Sequence, residues 1–204
     1  LDLNNFDYNL LQNTNINTLG TIYFKKYEFN PKINIKYSDS AIIEFSKIYK
    51  NTKDEIFLAQ ASYSLGSLFL IKKQFDNANY HYLKCIDIYT KLEFTDRVNR
   101  AKFNYYLNNF EKGDYKIAKK GFLEILKNKN KEIDFKFLLS HKYLAKIYYS
   151  EKKIDSTEYY YNKYISLYEK SSDKEKNEFA EAYKNIENND LKEEIKKIKN
   201  ENSV

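Results

Sequence analysis

The sequence is constrained most by a pattern that recurs about every 40 residues. In each copy, a small residue is followed four positions later by an aromatic residue, and three positions after that by a small or apolar residue. The copies begin at Ala41, Ala78, Ala118 and Thr157, so the steps between them are 37, 40 and 39 residues. Self-similarity at such a period indicates a repeat architecture, in which each repeat is one supersecondary unit.

A second pattern precedes three of these copies. A leucine is followed directly by glycine or alanine and then, three positions later, by an aromatic residue, which is one face of a helix. These triplets are Leu19-Gly20-Tyr23, Leu65-Gly66-Phe69 and Leu144-Ala145-Tyr148. Short polar turns at 72–74, 112–114 and 151–153 lie between helical segments. Each repeat is therefore predicted to be a helical hairpin.

The composition supports a helical fold. The chain has 204 residues, of which 42% are hydrophobic, but it has only four glycines and one proline. Sheet-rich folds need many turn residues, so this scarcity favours helices joined by short loops. We predict an all-α fold with helices at 7–27, 38–50, 53–72, 76–92, 95–111, 115–128, 131–151, 155–170, 173–187 and 191–200. They pair into repeats at 7–50, 53–92, 95–128 and 131–170, with a C-terminal capping hairpin at 173–200.

Helix starts carry their own signals. Thr52 with Glu55, and Ser172 with Glu175, have the spacing of a capping box, in which each side chain bonds the backbone N–H group of the other residue. Asp190 followed by Glu193 has the same spacing. We therefore expect helices to begin at these three places.

These motifs resemble the tetratricopeptide repeat family. One repeat matches the family pattern through Leu65, Gly66, Phe69, Phe75, Ala78, Tyr82 and Cys85, and another through Leu144, Ala145, Tyr148, Ile154, Thr157, Tyr161 and Tyr164. Gly113-Asp114-Tyr115 with Ala118 matches the family's turn between helices. The resemblance covers about residues 10–170. It implies a right-handed α-solenoid of about five hairpins, whose concave groove is lined by the first helix of each hairpin and usually holds the ligand.

The sequence also departs from the family pattern. The closing proline is absent from every copy, and the period is near 40 residues rather than the usual 34. The third repeat has two possible registers. Tyr105-Tyr106 with Asn109 fits the family spacing, whereas Phe103, Tyr106, Leu107 and Phe110 fit a packed face and need a turn one residue shorter.

The resemblance implies a set of groove positions on the first helices. They are Gln60, Tyr63, Ser67 and Leu70 in the second repeat, Arg100, Phe103, Leu107 and Phe110 in the third, and Leu139, Lys142, Lys146 and Tyr149 in the fourth. Some family members bind a peptide carboxylate with paired Lys and Asn, but here Tyr63 and Ser67 replace that pair. An aromatic wall with cations at one end suits a peptide or helix with apolar anchors and an acidic end. The alternative is that several of these aromatic residues pack between helices and meet no ligand.

Catalysis has little support in the sequence. His81 and His141 are the only histidines, and no glycine-rich phosphate loop or nucleophile elbow is present. His81 and Cys85 are four residues apart and have the spacing to share a metal ion, whereas the alternative places Cys85 in the core and His81 beside it as a partly exposed neighbour. We favour that alternative, and we expect no enzyme activity, no metal site and no cofactor.

Three functional hypotheses remain. The first is a protein-interaction scaffold. The second is a sensory or regulatory segment of a larger signalling protein, such as a bacterial transcription regulator or histidine kinase, because the chain contains no Met and so reads as part of something longer. The third, nucleic-acid binding, is disfavoured because 29 acidic residues are mixed with the 35 basic ones. No secretory leader and no apolar run of about 18 residues is present, so we expect no membrane-spanning segment.

Overall fold

The structure, a computed structural model, describes residues 3–29, 35–127 and 135–171. This part of the chain contains eight α-helices and no β-strand, which confirms the all-α class. The helices are α1 (Leu3–Phe29), α2 (Ile35–Asn51), α3 (Glu55–Ile71), α4 (Phe75–Lys91), α5 (Thr95–Lys112), α6 (Tyr115–Lys127), α7 (Phe135–Ser150) and α8 (Ile154–Lys170). None of them is long and apolar enough to cross a membrane.

The first eight predicted helices correspond to α1–α8, with ends that differ by at most four residues. The predicted capping hairpin at 173–200 lies outside the described residues, and so do the helix starts predicted at Ser172 and Asp190. The chain forms two compact units, Leu1–Gly113 and Asp114–Val204. In the first, α1 to α4 each pack against the next helix, and α3 also contacts α5. In the second, α6 packs against α7 and α7 against α8.

Hairpin turns share one backbone geometry. Lys73, Gly113 and Lys152 have φ values of 56°, 89° and 59°, so all three are left-handed. Their steps of 40 and 39 residues match the period in the sequence, and Glu93, in the turn between two hairpins, is left-handed as well with a φ of 58°. At the end of α3, Lys73 N donates to Leu70 O and Gln74 N to Phe69 O, and the end of α7 has the equivalent pair of bonds. These bonds satisfy carbonyl groups that the helix end would otherwise leave unpaired.

The left-handed turn also sets the register of the third repeat. Gly113 precedes α6 by two residues, just as Lys73 precedes α4. Tyr105, Tyr106 and Asn109 therefore occupy the positions of Leu65, Gly66 and Phe69, as the family spacing predicts, and the turn is not shortened. The packed-face alternative is partly right as well, because Phe103 and Leu107 are buried.

Close approach of two helices explains the Leu-Gly pattern. A Cβ atom added to Gly66 would lie 2.8 Å from the ring of Tyr82, and one added to Gly20 would lie 2.9 Å from Phe45. Tyr82 and Phe45 are 0% and 1% exposed, so neither ring has free space to move into. The glycine of the first helix thus makes room for the aromatic residue of the second helix.

A three-ring stack repeats in the two units. The ring of His81 stacks on Phe69 with centroids 5.4 Å apart and meets Tyr80 edge to face at 5.1 Å. In the second unit, Tyr160 stacks on Tyr148 at 5.3 Å and meets Tyr159 edge to face at 5.1 Å. Each residue of the second stack lies 79 residues after its counterpart, which is two repeats. The repeat therefore extends from the sequence to the arrangement of side chains.

Ion pairs join successive hairpins at equivalent positions. Lys72 pairs with Asp39, and Lys112 pairs with Asp76, so the end of a first helix meets the start of the preceding second helix. In the second unit the signs are exchanged, since Glu151 pairs with Lys119 at 2.8 Å. Partly exposed pairs of this kind contribute at most about 1 kcal/mol each. The exchanged signs disfavour pairing of hairpins in the wrong order.

Buried asparagines connect α4 and α5. Asn108 Nδ2 donates to Asn79 Oδ1 and to the carbonyl oxygen of Phe75, both at 2.8 Å. Asn109 Nδ2 donates to Asn79 Oδ1 at 3.1 Å, and Asn79 Nδ2 donates to Asn109 Oδ1 at 3.2 Å. Asn109 stands where the second repeat has Phe69, so a hydrogen-bonded network replaces an apolar contact at this junction.

The start of α3 differs from the prediction. Asp54, not Thr52, is the N-cap residue: its Oδ1 accepts hydrogen bonds from Ile56 N at 2.8 Å and Phe57 N at 3.1 Å. The Thr52 capping box is therefore wrong. The Thr52 hydroxyl instead accepts from Asp54 N and from Asn13 Nδ2 of α1. A carboxylate at the N-cap also interacts favourably with the positive end of the helix dipole.

Replacing Gly66 with alanine is expected to destabilise the fold by up to about 2 kcal/mol. The added methyl group must displace the buried Tyr82 ring, which costs about 1–3 kcal/mol, and the better helix propensity of alanine offsets about 1 kcal/mol of this. Urea unfolding followed by circular dichroism measures the change. Ser64→Ala, on the same helix, is the control and is expected to change stability by less than about 0.5 kcal/mol. A Gly66→Ala cost that stays the same in a Tyr82→Leu background would contradict this explanation.

Candidate functional site

Two lines of predicted groove residues meet in the first unit. Helices α3 and α5 contact one another, and Asn104 Nδ2 of α5 donates a hydrogen bond of 2.8 Å to the hydroxyl oxygen of Tyr63 on α3. We call the surface formed by Gln60, Tyr63, Ser67, Leu70, Arg100 and Asn104 the α3–α5 face. It contains all four groove positions of the second repeat and one of the third.

The α3–α5 face is open to solvent in part. Arg100 is exposed, and the other five residues of the face are half-buried. Tyr63 is held by an edge-to-face contact with Tyr82, whose ring centroid is 6.2 Å away. Ser67 Oγ donates to the backbone oxygen of Tyr63 at 3.1 Å and accepts a hydrogen bond from the Tyr82 hydroxyl at 3.3 Å. The side chains that shape this face are therefore anchored in the core of the hairpin.

The remaining groove positions of the third repeat are less accessible. Phe103 is 0% and Leu107 is 9% exposed, while Phe110 is half-buried. Side chains with so little exposed surface can contribute little contact area to a partner. Of this line of predicted residues, Arg100 presents the most surface.

Positions of the fourth repeat lie in the second unit. Leu139 and Lys142 are 4% and 1% exposed, and Lys146 and Tyr149 are half-buried. The Lys142 Nζ atom lies 5.5 Å from the centroid of the Tyr164 ring, so this cation contacts an aromatic face in the interior. A contact between these four residues and a partner stays a prediction.

Two residues at the α3–α5 face, Asn104 within it and Arg97 beside it, were not predicted from the sequence. The guanidinium of Arg97 lies over the rings of Phe94 and Tyr89, with its Cζ atom 5.1 Å and 5.5 Å from the ring centroids. Asn104 bridges α5 to Tyr63. The sequence does contain a signal for Arg97, because Arg97 and Arg100 are the only arginines in a chain rich in lysine.

Electrostatics distinguish Tyr63 from an ordinary surface tyrosine. Burial raises the pKa of the Tyr63 hydroxyl, and the positive charge of Arg100 and the hydrogen bond from Asn104 partly offset that rise. The pKa of Tyr89 is also raised by burial and lowered in part by Arg97 and Arg100. Both hydroxyls therefore stay protonated at neutral pH beside a permanent positive charge.

His81 and Cys85 are the pair whose spacing would allow them to share a metal ion. Cys85 is 0% exposed and belongs to a core cluster with Ala59, Tyr82 and Ala101, as the core interpretation expects. Burial raises the pKa of its thiol to about 12, which makes it a poor nucleophile and a poor metal ligand at neutral pH. Among the described residues, no group of three or more His, Cys, Asp or Glu has the arrangement to hold a metal ion.

A cavity of about 370 Å³ lies beside the turn between α3 and α4. Its lining includes Lys73, Phe75, Asp76 and Lys112. Asp76 and Lys112 pair with each other across it, and none of the lining residues belongs to the predicted groove. The cavity and the α3–α5 face are therefore made of different residues.

No protein-family model matches the sequence, and no curated protein matches it at a significant level.

The two histidines are expected to make the fold sensitive to mild acid. His81 is surrounded by the rings of Tyr49, Phe69 and Tyr80, and His141 by those of Phe137 and Tyr160. Burial lowers the pKa of each to about 4 from 6.5, with Lys163 adding to the effect at His141. The unfolded chain therefore binds more protons between these values, so stability is constant above pH 6.5 and falls as the pH drops towards 4.

Urea unfolding at pH 7 and pH 5 measures this loss. Each histidine contributes a slope of at most about 1.4 kcal/mol per pH unit below 6.5, and less for the half-buried His81. A His81→Phe/His141→Phe variant keeps a ring at both positions and is expected to lose most of the dependence. Comparison at pH 5 avoids the range in which most carboxylates titrate. Equal slopes for wild type and variant would contradict the assignment.

Proposed function

We propose that the chain is a protein-interaction module of the tetratricopeptide type, which binds a peptide or partner segment without chemical change. In this proposal the hairpins stack into a right-handed solenoid, and the first helices line its groove. The recurring left-handed turns at 73, 113 and 152 and the three-ring stacks 79 residues apart support a regular array. Stacking is needed because one hairpin cannot bury its apolar face alone.

The observation that carries the proposal is the hydrogen bond between Asn104 and Tyr63. It joins the first helices of two successive repeats, and so brings groove positions that are about 40 residues apart in sequence onto one continuous face. Helix α4, which forms a hairpin with α3, packs against both α3 and α5 and so supports that face. Sites held by rigid helices bind with a small loss of conformational entropy.

The chemistry of the α3–α5 face suits a peptide. Leu70 and the ring of Tyr63 provide apolar surface, and Gln60 provides an amide that both donates and accepts hydrogen bonds. Arg100 adds a positive charge at the α5 side. This combination favours a ligand with apolar anchors and an acidic end. Among the other predicted groove positions, Lys146 and Tyr149 of the second unit are half-buried, whereas Phe103, Leu139 and Lys142 are buried and contribute to packing within their own units.

Peptides selected from a random phage-displayed library against the purified protein are expected to depend on the α3–α5 face. Gln60→Ala and Leu70→Ala should each weaken binding about 10-fold, since loss of a central contact typically costs 1–2 kcal/mol. Fluorescence anisotropy with labelled peptides measures the affinity, and thermal unfolding identifies variants that remain folded. Tyr80→Ala and Leu83→Ala are the matched controls, because both side chains lie exposed on α4.

The controls should bind within about 2-fold of wild type, as is usual for residues outside an interface. Selected peptides that lose affinity with Tyr80→Ala or Leu83→Ala, and keep it with Gln60→Ala and Leu70→Ala, would place the binding surface on α4. That result would overturn the proposed function of the α3–α5 face.

A further inference from the structure

The arginines of this chain are concentrated in one place. Among 35 basic residues only Arg97 and Arg100 are arginine, and they are three residues apart in the first two turns of α5. Residues at that spacing are neighbours on one face of a helix. Arginine differs from lysine in carrying a planar fork of donors, which matches the oxygens of a carboxylate or phosphate.

Arg97 is held in position by aromatic rings. Its Cζ atom lies 5.1 Å from the centroid of Phe94 and 5.5 Å from that of Tyr89. The Arg97 side chain also forms a hydrogen bond with the Tyr89 hydroxyl, which leaves its remaining N–H groups for an oxygen of a ligand. The stacking therefore orders the side chain before any ligand arrives.

Hydrogen-bond donors also predominate next to Arg100. The Tyr63 oxygen accepts a hydrogen bond from Asn104 Nδ2 at 2.8 Å, so its own hydrogen points elsewhere, and no described residue accepts it. Arg100 lies close enough to Tyr63 and Tyr89 to act electrostatically on both hydroxyls. The Tyr63 hydroxyl and the Arg100 guanidinium thus present donors to a ligand, while Arg97 already shares one donor with the Tyr89 hydroxyl.

Nearby carboxylates leave the arginines unpaired. Glu93 and Asp96 are each four residues before one arginine, the spacing of a helical ion pair, yet neither forms an ion pair with Arg97 or Arg100. The N-cap of α5 is Phe94, which provides no side-chain acceptor to the first turn. The positive end of the helix dipole therefore adds to the charge of the arginine pair.

We propose that Arg97, Arg100 and the hydroxyl of Tyr63 form a binding site for an oxyanion carried by the peptide ligand, either a carboxylate or a phosphate group. The inference rests on the proposed function and names the group that anchors the acidic end of the ligand. It places that anchor on α5 of the first unit, rather than on Lys142 and Lys146. Asp96 does not pair with Arg100, but its negative charge lies one helical turn away and opposes the binding of an anion there.

The two arginines permit a direct test by NMR. Selective ¹⁵N-arginine labelling of the full chain gives two side-chain Nε–Hε signals, and Arg97→Lys and Arg100→Lys each remove one and so assign both. Sodium phosphate, sodium acetate and sodium chloride are titrated at matched ionic strength and constant pH. We expect both signals to shift with saturation in phosphate, acetate or both, and to shift far less in chloride.

The anion that binds with the higher affinity, phosphate or acetate, identifies the group on the ligand. Saturation by phosphate alone indicates a phosphorylated residue, and saturation by acetate indicates an Asp, a Glu or a chain terminus. Shifts that are linear, or equal in all three salts, would overturn the site, because a diffuse positive charge responds to ionic strength alone.

Variants separate a forked donor site from general charge. Arg97→Lys and Arg100→Lys keep the charge but lose the fork, and each should weaken binding of the preferred anion at least 5-fold, as judged from the remaining arginine signal. Asp96→Asn should strengthen binding about 2-fold or more by removing the opposing negative charge. Lys50→Gln, which removes an exposed charge from α2, is the control and should leave both signals and their affinity unchanged. Lysine variants that bind as tightly as wild type would overturn the site.

The selected peptides distinguish this inference from the proposed function. Peptides that lose affinity with Gln60→Ala but keep it with both lysine variants would overturn the oxyanion site and leave the groove in place. Peptides that are insensitive to Gln60→Ala and Leu70→Ala would overturn the groove, whatever the arginine signals show.

Discussion

The first two hairpins depend on the close approach of their two helices at a glycine, Gly20 in one and Gly66 in the other. In the second repeat the ring of Tyr82 occupies the space that a Cβ atom of Gly66 would need, and Phe45 does the same at Gly20. Both rings are buried, so the contact fixes the distance between the helices. The left-handed residue at the turn between the two helices then reverses the direction of the chain. Glycine is needed at the contact for its size and not for its backbone freedom.

The junctions between hairpins use polar contacts as well as apolar ones. Asn79, Asn108 and Asn109 form a buried network between α4 and α5, where other repeats have an aromatic residue. A buried amide is costly unless it is paired, so this network favours one register of α5 against α4. That register places Asn104 beside Tyr63 and the arginine pair beside Tyr89. The candidate site is therefore a consequence of how the second and third repeats pack.

Tyrosine occupies many of the positions at which other proteins have leucine or tryptophan. The chain has 21 tyrosines and no tryptophan, and several tyrosines have a buried ring and a hydroxyl that bonds to another side chain. Tyr82 bonds Ser67 and Tyr63 bonds Asn104, so a single residue type joins the core to a polar face. Burial raises the pKa of the Tyr63 phenol and keeps it as a neutral hydrogen-bond donor at physiological pH.

The sequence by itself determined the all-α class, the hairpin period and the positions of eight helices, because apolar spacing, sparse glycine and the repeated small-aromatic pattern are local properties. It did not determine the N-cap of α3, since Thr52 and Asp54 both suit that role and the contact of Thr52 with Asn13 decides between them. Likewise, the resemblance implies that Lys142 and Phe103 line a groove, yet both are buried. Only the tertiary structure decided which predicted residues are exposed and that Arg97 joins them, because burial depends on neighbours distant in the chain.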